Sequence, residues 1–564
     1  MRTMKANSLP LSTLASALLL AIHGGAWAQT PPVPDAGQVL RDLRQAPALP
    51  PQQAAPLQRI EESPDLSQQG QAKVLVKSIA ITGNQEIPSA ELQPLVAGLV
   101  GAEQSLSQLN AAARRITAYY RSKGFAVARA YLPAQDITDG GVTIAVIEGR
   151  ISSHKINNQS LLSDERAQAY LGQVKDGDVI KSDQIDRGLL LLQDTPGVST
   201  SRATLQPGAS VGTSELLIEV NPAKPYSGNV VADNYGSRYT GEFRLAGTFN
   251  LVSPLRIGDQ LTANVLTAGS NLSYARLAYQ LPVGSDGLKL GAAYSDIHYK
   301  LGKEFEALQA HGTATSTSVF ASYPFIRSQF KNLSGTVSYE DKSLKDYVDG
   351  TATFTPKKVA VTSFGLSGSL QDALGGGGIT GLDLGVAFGN LSINSPTALA
   401  IDAASAQSNG SYTRFSYGAN RLQRFTDSTF LALSVTGQTA SKNLDSSEKF
   451  SLGGINGVRA YPQGEASGDE GYRATVELRH NVMPHVQATV FYDVGKVTIN
   501  RNPFGPAASN SRNLAGVGVG MNAGLGPVQL RSSLAWRTDG GLPTSIPASA
   551  AKRPTLWMQA SVAF

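Results

Sequence analysis

The chain has 564 residues, no cysteine, 57 glycines, 16% charged residues and a formal charge of +5. The lack of cysteine excludes a disulfide framework and a lipid-attachment thiol, and so slight a basic excess argues against nucleic acid, which calls for clustered Lys and Arg interleaved with aromatics. Glycine stands above its usual share of about 7%, and sparse charge beside abundant glycine suits β-barrels with tight turns.

The first residues have the pattern of an export signal. Arg2 and Lys5 precede an apolar run from Leu9 to Ile22, and Ala26-Trp27-Ala28 supplies a small-x-small site, which predicts a signal peptide over 1–28 cleaved before Gln29. Cleavage takes the formal charge from +5 to +3 by removing Arg2 and Lys5. The run is shorter than the roughly 18 apolar residues of a spanning helix, and no later stretch reaches that length. Residues 29–72, rich in Pro, Gln and Ala, read as linker. Within them Asp35 to Gln45 is predicted to form a short helix, with Asp35 as N-cap and Val39, Leu40 and Leu43 on one side.

Between Val74 and Ala223 one order of elements occurs twice, an internal repeat. The first copy, 73–150, reads as a strand at Val74–Ile81, helices at Ser89–Val100 and Ser105–Lys123, and strands at Phe125–Leu132 and Val142–Ile147. The second helix carries Leu106, Leu109, Ala113, Ile116 and Tyr120 on one stripe. The second copy, 151–224, reads as a strand at Ile151–Ile156, helices at Asp164–Leu171 and Ser182–Gln193, and strands at Val198–Leu205 and Ser214–Val220. This β-α-α-β-β order, with Gly83-Asn84 closing the first strand, resembles the POTRA module of bacterial outer-membrane translocases. Such a sheet offers a strand edge to which an extended peptide can add by main-chain pairing.

After Pro225 the helical period gives way to segments of about ten residues that alternate apolar and polar, the length of a tilted membrane strand. Sixteen are predicted, at about 227–234, 240–251, 259–268, 272–282, 286–297, 315–324, 331–340, 357–370, 377–389, 410–423, 427–438, 472–480, 486–496, 513–522, 527–536 and 555–564. Links after even-numbered strands are short. Those after the fifth, seventh, ninth, eleventh, thirteenth and fifteenth are long and polar, as periplasmic turns and outer loops are. A soluble sandwich would hide its apolar faces against each other; charge on the opposite face and the asymmetric links favour a barrel over 225–564. The last strand puts Leu556, Met558, Ala560 and Val562 on one face and ends on Phe564, which resembles the terminal aromatic by which outer-membrane barrels are recognised for insertion. The expected fold is therefore mainly β, a 16-stranded antiparallel transmembrane barrel preceded by two periplasmic POTRA domains.

The longest link, about 439–471, contains Gly457-Val458-Arg459-Ala460-Tyr461, and a later strand contains Phe491-Tyr492-Asp493-Val494-Gly495. Strand parity puts Phe491, Asp493 and Gly495 on the inner wall if Val490, Tyr492 and Val494 face lipid, and Gly495 leaves room for a loop to lie there. Signal, tandem POTRA-like modules, barrel and a Val-Arg-Gly-Tyr-type motif in the sixth outer loop together resemble the two-partner secretion transporters, the haemolysin and filamentous-haemagglutinin exporter family. Ala460 departs from the family's usual glycine. The resemblance implies that the loop folds into the lumen and that Arg459 pairs with Asp493, a planar fork gripping a carboxylate.

It further implies an outer-membrane transporter rather than an enzyme, with no cofactor or metal and no nucleic acid, acting as a monomer. The expected partner is a secreted exoprotein (an adhesin, haemolysin or toxin) taken up unfolded in the periplasm. Outer-membrane lipid and lipopolysaccharide are expected to surround the barrel, and the barrel assembly machinery to insert it. The helix at 35–45 is expected to plug the lumen. The rival readings are an assembly factor that inserts other barrels, whose relatives commonly carry three or more POTRA modules, and a passive porin, which needs none. Gly208-Ala209-Ser210-Val211-Gly212 matches a nucleophile elbow in spelling only, since it lies between two strands. Gly516, Gly518 and Gly520 alternate along a strand and thin one barrel face, and His154, His298, His311, His480 and His485 lack metal-ligand spacing.

Overall fold

A computed structural model describes residues 33–43, 57–58, 73–505 and 509–564; the predicted signal peptide and most of the predicted linker lie outside the described residues. The chain opens on α1 (Ala36–Asp42). Asp35 caps this helix by accepting the Gln38 N–H at 2.9 Å, which satisfies one of the amides a helix start leaves open. A two-residue strand, β1 (Leu57–Gln58), follows.

The first repeat unit comprises β2 (Lys73–Leu75), β3 (Ser78–Thr82), α2 (Ser89–Leu92), β4 (Glu103–Ser105), α3 (Leu106–Ser122), β5 (Arg129–Tyr131) and β6 (Gly141–Ile147). β6 is the middle strand, parallel to β3 and antiparallel to β5. α3 starts on a reciprocal cap between Ser105 and Gln108 and buries Leu109, Ala113, Ile116 and Tyr120, which pack with Ile79, Ile144 and Val146 of the sheet. Leu106, expected on that stripe, is exposed at the first turn. The helix expected over Ser89–Val100 is instead one α turn followed by 3-10 turns at Gln93–Leu95 and Ala97–Leu99. Pro94 removes an N–H from the ladder and Gly98 adds backbone freedom, so the tighter turns prevail.

The second unit repeats the plan with β7 (Arg150–Asn158), α4 (Asp164–Ala169), α5 (Ser182–Gln193), β8 (Val198–Pro207) and β9 (Thr213–Pro222). β9 lies between β7, parallel to it, and β8, antiparallel. β1 adds itself in parallel to the outer edge of β8, with Leu57 opposite Ala203. Gly208 to Gly212 form the β8–β9 hairpin link. This unit is seated on one end of the barrel. Arg327 grips the Asp194 carboxylate through Nε at 2.5 Å and Nη2 at 2.9 Å, and the Arg166 guanidinium donates to the Pro282 carbonyl at 3.0 Å.

The barrel strands are β10 (Tyr226–Asp233), β11 (Arg244–Val252), β12 (Gln260–Thr267), β13 (Leu272–Val283), β14 (Leu288–Lys300), β15 (Ala310–Arg327), β16 (Lys331–Val348), β17 (Thr353–Asp372) and β18 (Gly378–Ile393). After α6 (Pro396–Ala403) come β19 (Gly410–Arg424) and β20 (Thr429–Ala440). The short pair β21 (Phe450–Ser451) and β22 (Ser467–Gly468) lies within the following loop, and β23 (Glu470–Met483), β24 (Val486–Thr498), β25 (Ser511–Leu525), β26 (Val528–Asp539) and β27 (Thr555–Ala563) complete the wall. Sixteen strands close the ring in chain order, β27 pairing antiparallel with β10. One face is apolar and exposed, as at Phe249, Leu277, Val319, Phe364, Leu384, Val476 and Val490, a belt that suits lipid.

Several strands are longer than expected, among them four consecutive ones: β15 and β16 have 18 residues, β17 has 20 and β18 has 16. The link expected after the seventh barrel strand to be long is only the four residues 349–352, because the strands continue through it. Their distal ends, away from the repeat units, invert the pattern. Leu344, Val359, Val361 and Leu391 point inward into an apolar cluster with Val39 and Leu40 of α1, whereas Lys345 and Lys358 are exposed outside. A search for outward apolar residues ends where the membrane belt ends, but the ladder does not. α1 therefore lies inside the barrel, in its distal half.

Candidate functional site

The link from β20 to β23, residues 441–469, enters the barrel from the distal end and carries the glycine-led motif to the middle of β24. Within it the β21–β22 pair makes a narrow finger. Gly457 sits so close to the Leu452 carbonyl that a Cβ would overlap it, and the Val458 N–H donates to that carbonyl at 2.8 Å. Val458, Ala460 and Tyr461 are buried with Leu452, Phe491 and Leu514 in one apolar cluster.

Arg459 and Asp493 meet at the centre of this cluster. The guanidinium donates from Nε to Asp493 Oδ2 at 2.8 Å and from Nη2 to Oδ1 at 2.8 Å. The Arg459 backbone N–H adds a third bond to Oδ2 at 3.1 Å, and Thr475 donates its hydroxyl to Oδ1 at 2.9 Å. The remaining guanidinium edge donates to Glu477 at 2.8 Å, and its flat face lies 3.3 Å from the centre of the Phe491 ring. Asp493 is 1% exposed. A fork bound on two edges to carboxylates and on one face to an aromatic ring has a single orientation, which a lysine ammonium does not impose. Leu452 fills the space over Gly495, where a Cβ would collide with it.

Other residues hold the motif that the sequence reading did not single out. Trp557 of β27 donates its indole N–H to the Arg459 carbonyl at 2.7 Å, and Thr555 donates to the Ala460 carbonyl at 2.9 Å. The Tyr461 hydroxyl reaches the carbonyls of Asp539 at 2.5 Å and Gly541 at 3.0 Å. Glu465, fully buried, accepts the backbone N–H groups of Thr544 at 3.0 Å and Ser545 at 2.8 Å and a guanidinium N–H of Arg512 at 3.2 Å. Trp557 alternates against the outward Leu556 and Met558, so an aromatic on the inner face of a lipid-facing strand was its available signal. Ala460, the departure from the family motif, has its backbone outside the left-handed region. Its Cβ faces Gly516, where a second Cβ would come within 2.5 Å. Gly518 likewise makes way for the Phe491 ring, so the alternating glycines of β25 accommodate the packed loop. Phe564 lies beyond the end of β27, its N–H donating to the Gly228 carbonyl at 3.0 Å.

A closed sixteen-strand barrel with an inward-folded loop and N-terminal POTRA units is an outer-membrane translocase. Residues 212–523 match the family described as haemolysin secretion/activation protein ShlB/FhaC/HecB, and residues 74–149 match the ShlB-type POTRA domain. The heme/hemopexin transporter protein HuxB of Haemophilus influenzae (strain 86-028NP) is 31% identical over 507 residues, covering 87% of this chain and 88% of that one. The hemolysin transporter protein ShlB of Serratia marcescens is 25% identical over 423 residues, covering 73% and 72%. The structure of CdiB from Escherichia coli shares the fold, with a TM-score of 0.71 at 21% identity over 90% of this chain and 93% of that one. The chain belongs to the haemolysin secretion/activation family: it is an outer-membrane transporter of two-partner secretion, with its POTRA domains in the periplasm.

Proposed function

We propose that the resting transporter is closed by α1 and by the sixth distal loop, and that an unfolded, β-rich exoprotein captured in the periplasm passes through the barrel once both have moved. One observation carries this reading. The barrel wall is joined by continuous backbone ladders, whereas α1 and the loop tip are seated in the lumen through side-chain bonds such as Ala36 N–H to Asp346 at 2.7 Å and Arg459 to Asp493. The filling can leave without unzipping the wall. In this reading Arg459 and Asp493 latch the loop and perform no chemistry, so the protein acts as a conduit and not as an enzyme. Its POTRA strand edges take an extended segment by main-chain pairing, which is indifferent to most side chains, and Phe564 serves as the insertion signal.

The cargo follows the more similar relative. At 31% identity across most of its length, the Haemophilus protein named a heme/hemopexin transporter supports an exoprotein concerned with haem or haemopexin, ahead of a haemolysin or a contact-dependent toxin. Co-expression with a candidate exoprotein, sought first among the genes that neighbour this one, tests the proposal. That protein is expected outside the cell only when the intact transporter is present. If it stays inside while other outer-membrane barrels fall in abundance on deletion of the transporter, the activity is barrel assembly.

A further inference from the structure

We propose that α1 and the sixth distal loop are coupled through Lys357 and the turn at Asp445–Ser447, so that neither leaves its resting place alone; this rests on the reading of α1 as a plug. Lys357 points inward from β17 and is shared by carboxylates from three parts of the chain. Its Nζ lies 3.1 Å from Asp35, the cap of α1, 2.9 Å from Asp445, at the base of the loop, and 3.8 Å from Asp346 on the wall. Two of the ammonium's three donors are thus committed, one to the helix cap and one to the base of the loop, with the Asp346 charge close behind them.

Helix and loop also touch directly at this point. The Ser446 hydroxyl donates to Asp35 at 2.5 Å, and Arg41 donates to the Ser446 carbonyl at 3.0 Å. Gly37 presses its bare backbone against the turn: a Cβ there would come within 2.7 Å of the Ser447 nitrogen and 2.9 Å of Asp445 Oδ1. The Asp346 carboxylate accepts the Ala36 N–H at 2.7 Å and the Tyr299 hydroxyl at 2.6 Å, which fixes the third arm of the cluster.

Withdrawal of α1 strips Asp35 from Lys357 and both helix partners from Ser446, so the base of the loop loses its seat. Movement of the loop strips Asp445 from Lys357 and Ser446 from Asp35 and Arg41, so the first turn of the helix loses its own. A binding coupling of this kind acts equally in both directions. Lys357 is thus a positioning residue on the lumen wall, bonded to helix and loop but not to the Arg459–Asp493 latch, and it makes opening a concerted event.

The chain lacks cysteine, so Asn456→Cys, at an exposed position on the loop, takes a single nitroxide label in the full-length protein. Deletion of residues 30–46 is expected to raise planar-bilayer conductance severalfold and to sharpen the label's spectrum towards free motion. Asp445→Asn and Lys357→Met, which leave α1 unaltered, are expected to raise conductance as well, and Lys357→Arg to restore the closed level. Gly37→Leu, on the helix alone, is the second variant should Lys357→Met fail to insert, and is expected to free the loop label. A deletion that raises conductance while the spectrum stays unchanged overturns the coupling and keeps the plug. A deletion that leaves conductance unchanged overturns both.

Discussion

Trp557 donates its indole N–H to the Arg459 carbonyl at 2.7 Å, so the strand that closes the barrel also carries the loop motif. That strand pairs with β10 only from Asn229–Asp233 to Gln559–Ala563, and the loop bond adds to the order of this closing strand. Trp557→Phe keeps the ring and deletes the donor, leaving a buried carbonyl unpaired at a cost of about 1–3 kcal/mol. Amide exchange in residues 452–465 is expected to quicken by about tenfold for each 1.4 kcal/mol of that loss, with barrel insertion unchanged. Unaltered exchange would show that the indole bond adds nothing to the loop.

Gly518 faces the Phe491 ring, and a Cβ on it would overlap that ring. Gly518→Val should therefore push Phe491 off the guanidinium of Arg459 and lower secretion while the barrel still inserts. Gly247, whose added Cβ would meet only Val265 at 3.5 Å and the Asn229 carbonyl at 4.0 Å, is the control. Equal secretion by the two valine variants would contradict the packing argument.

The paired bonds from Arg327 to Asp194 fasten the second POTRA unit to the barrel rim. Arg327→Ala removes both, and partial burial of the pair puts the loss at the upper end of charged hydrogen bonds, about 1.5–3 kcal/mol. Limited proteolysis of the outer-membrane protein is expected to cut between the POTRA units and the barrel sooner, while the heat-resistant barrel band persists. A cleavage rate equal to that of the unaltered chain would show the unit is held elsewhere.

Val490 is exposed on the lipid belt, and Asp493, an odd number of residues along the same strand, lies on the inner wall. Val490→Arg places a charge in hydrocarbon, a loss of about 2–4 kcal/mol near the midplane, and is expected to reduce the amount of folded barrel. Thr489→Arg, one residue along and inward, should insert normally. Comparing the heat-modifiable fraction of the two checks the assignment of faces.

The sequence alone located all sixteen strands because lipid imposes one rule on one face: Val476, Leu478, Val490 and Tyr492 must be apolar whatever their neighbours do. The same rule concealed the distal extensions of β15 to β18, where Leu344 and Val359 turn apolar side chains inward to receive α1. Arg459 and Asp493 stood out because they lie in short motifs with opposite charge. Lys357, Glu465 and Trp557 did not, since each is an ordinary residue type whose role comes only from partners tens to hundreds of positions away in the chain. The broken helix at 89–100 was legible in Pro94 and Gly98, and its apolar spacing outweighed them.

Secretion by Arg459→Ala and Asp493→Ala tests the account most directly. Each removes one member of a buried, hydrogen-bonded pair and leaves the other uncompensated, a loss of about 3–5 kcal/mol, while the wall ladders stay whole. With an exoprotein that the unaltered transporter exports as cargo and heat-modifiable migration as proof of insertion, both variants are expected to insert and to export almost nothing, and Arg459→Lys to export partially. Full export by both alanine variants would contradict the latch.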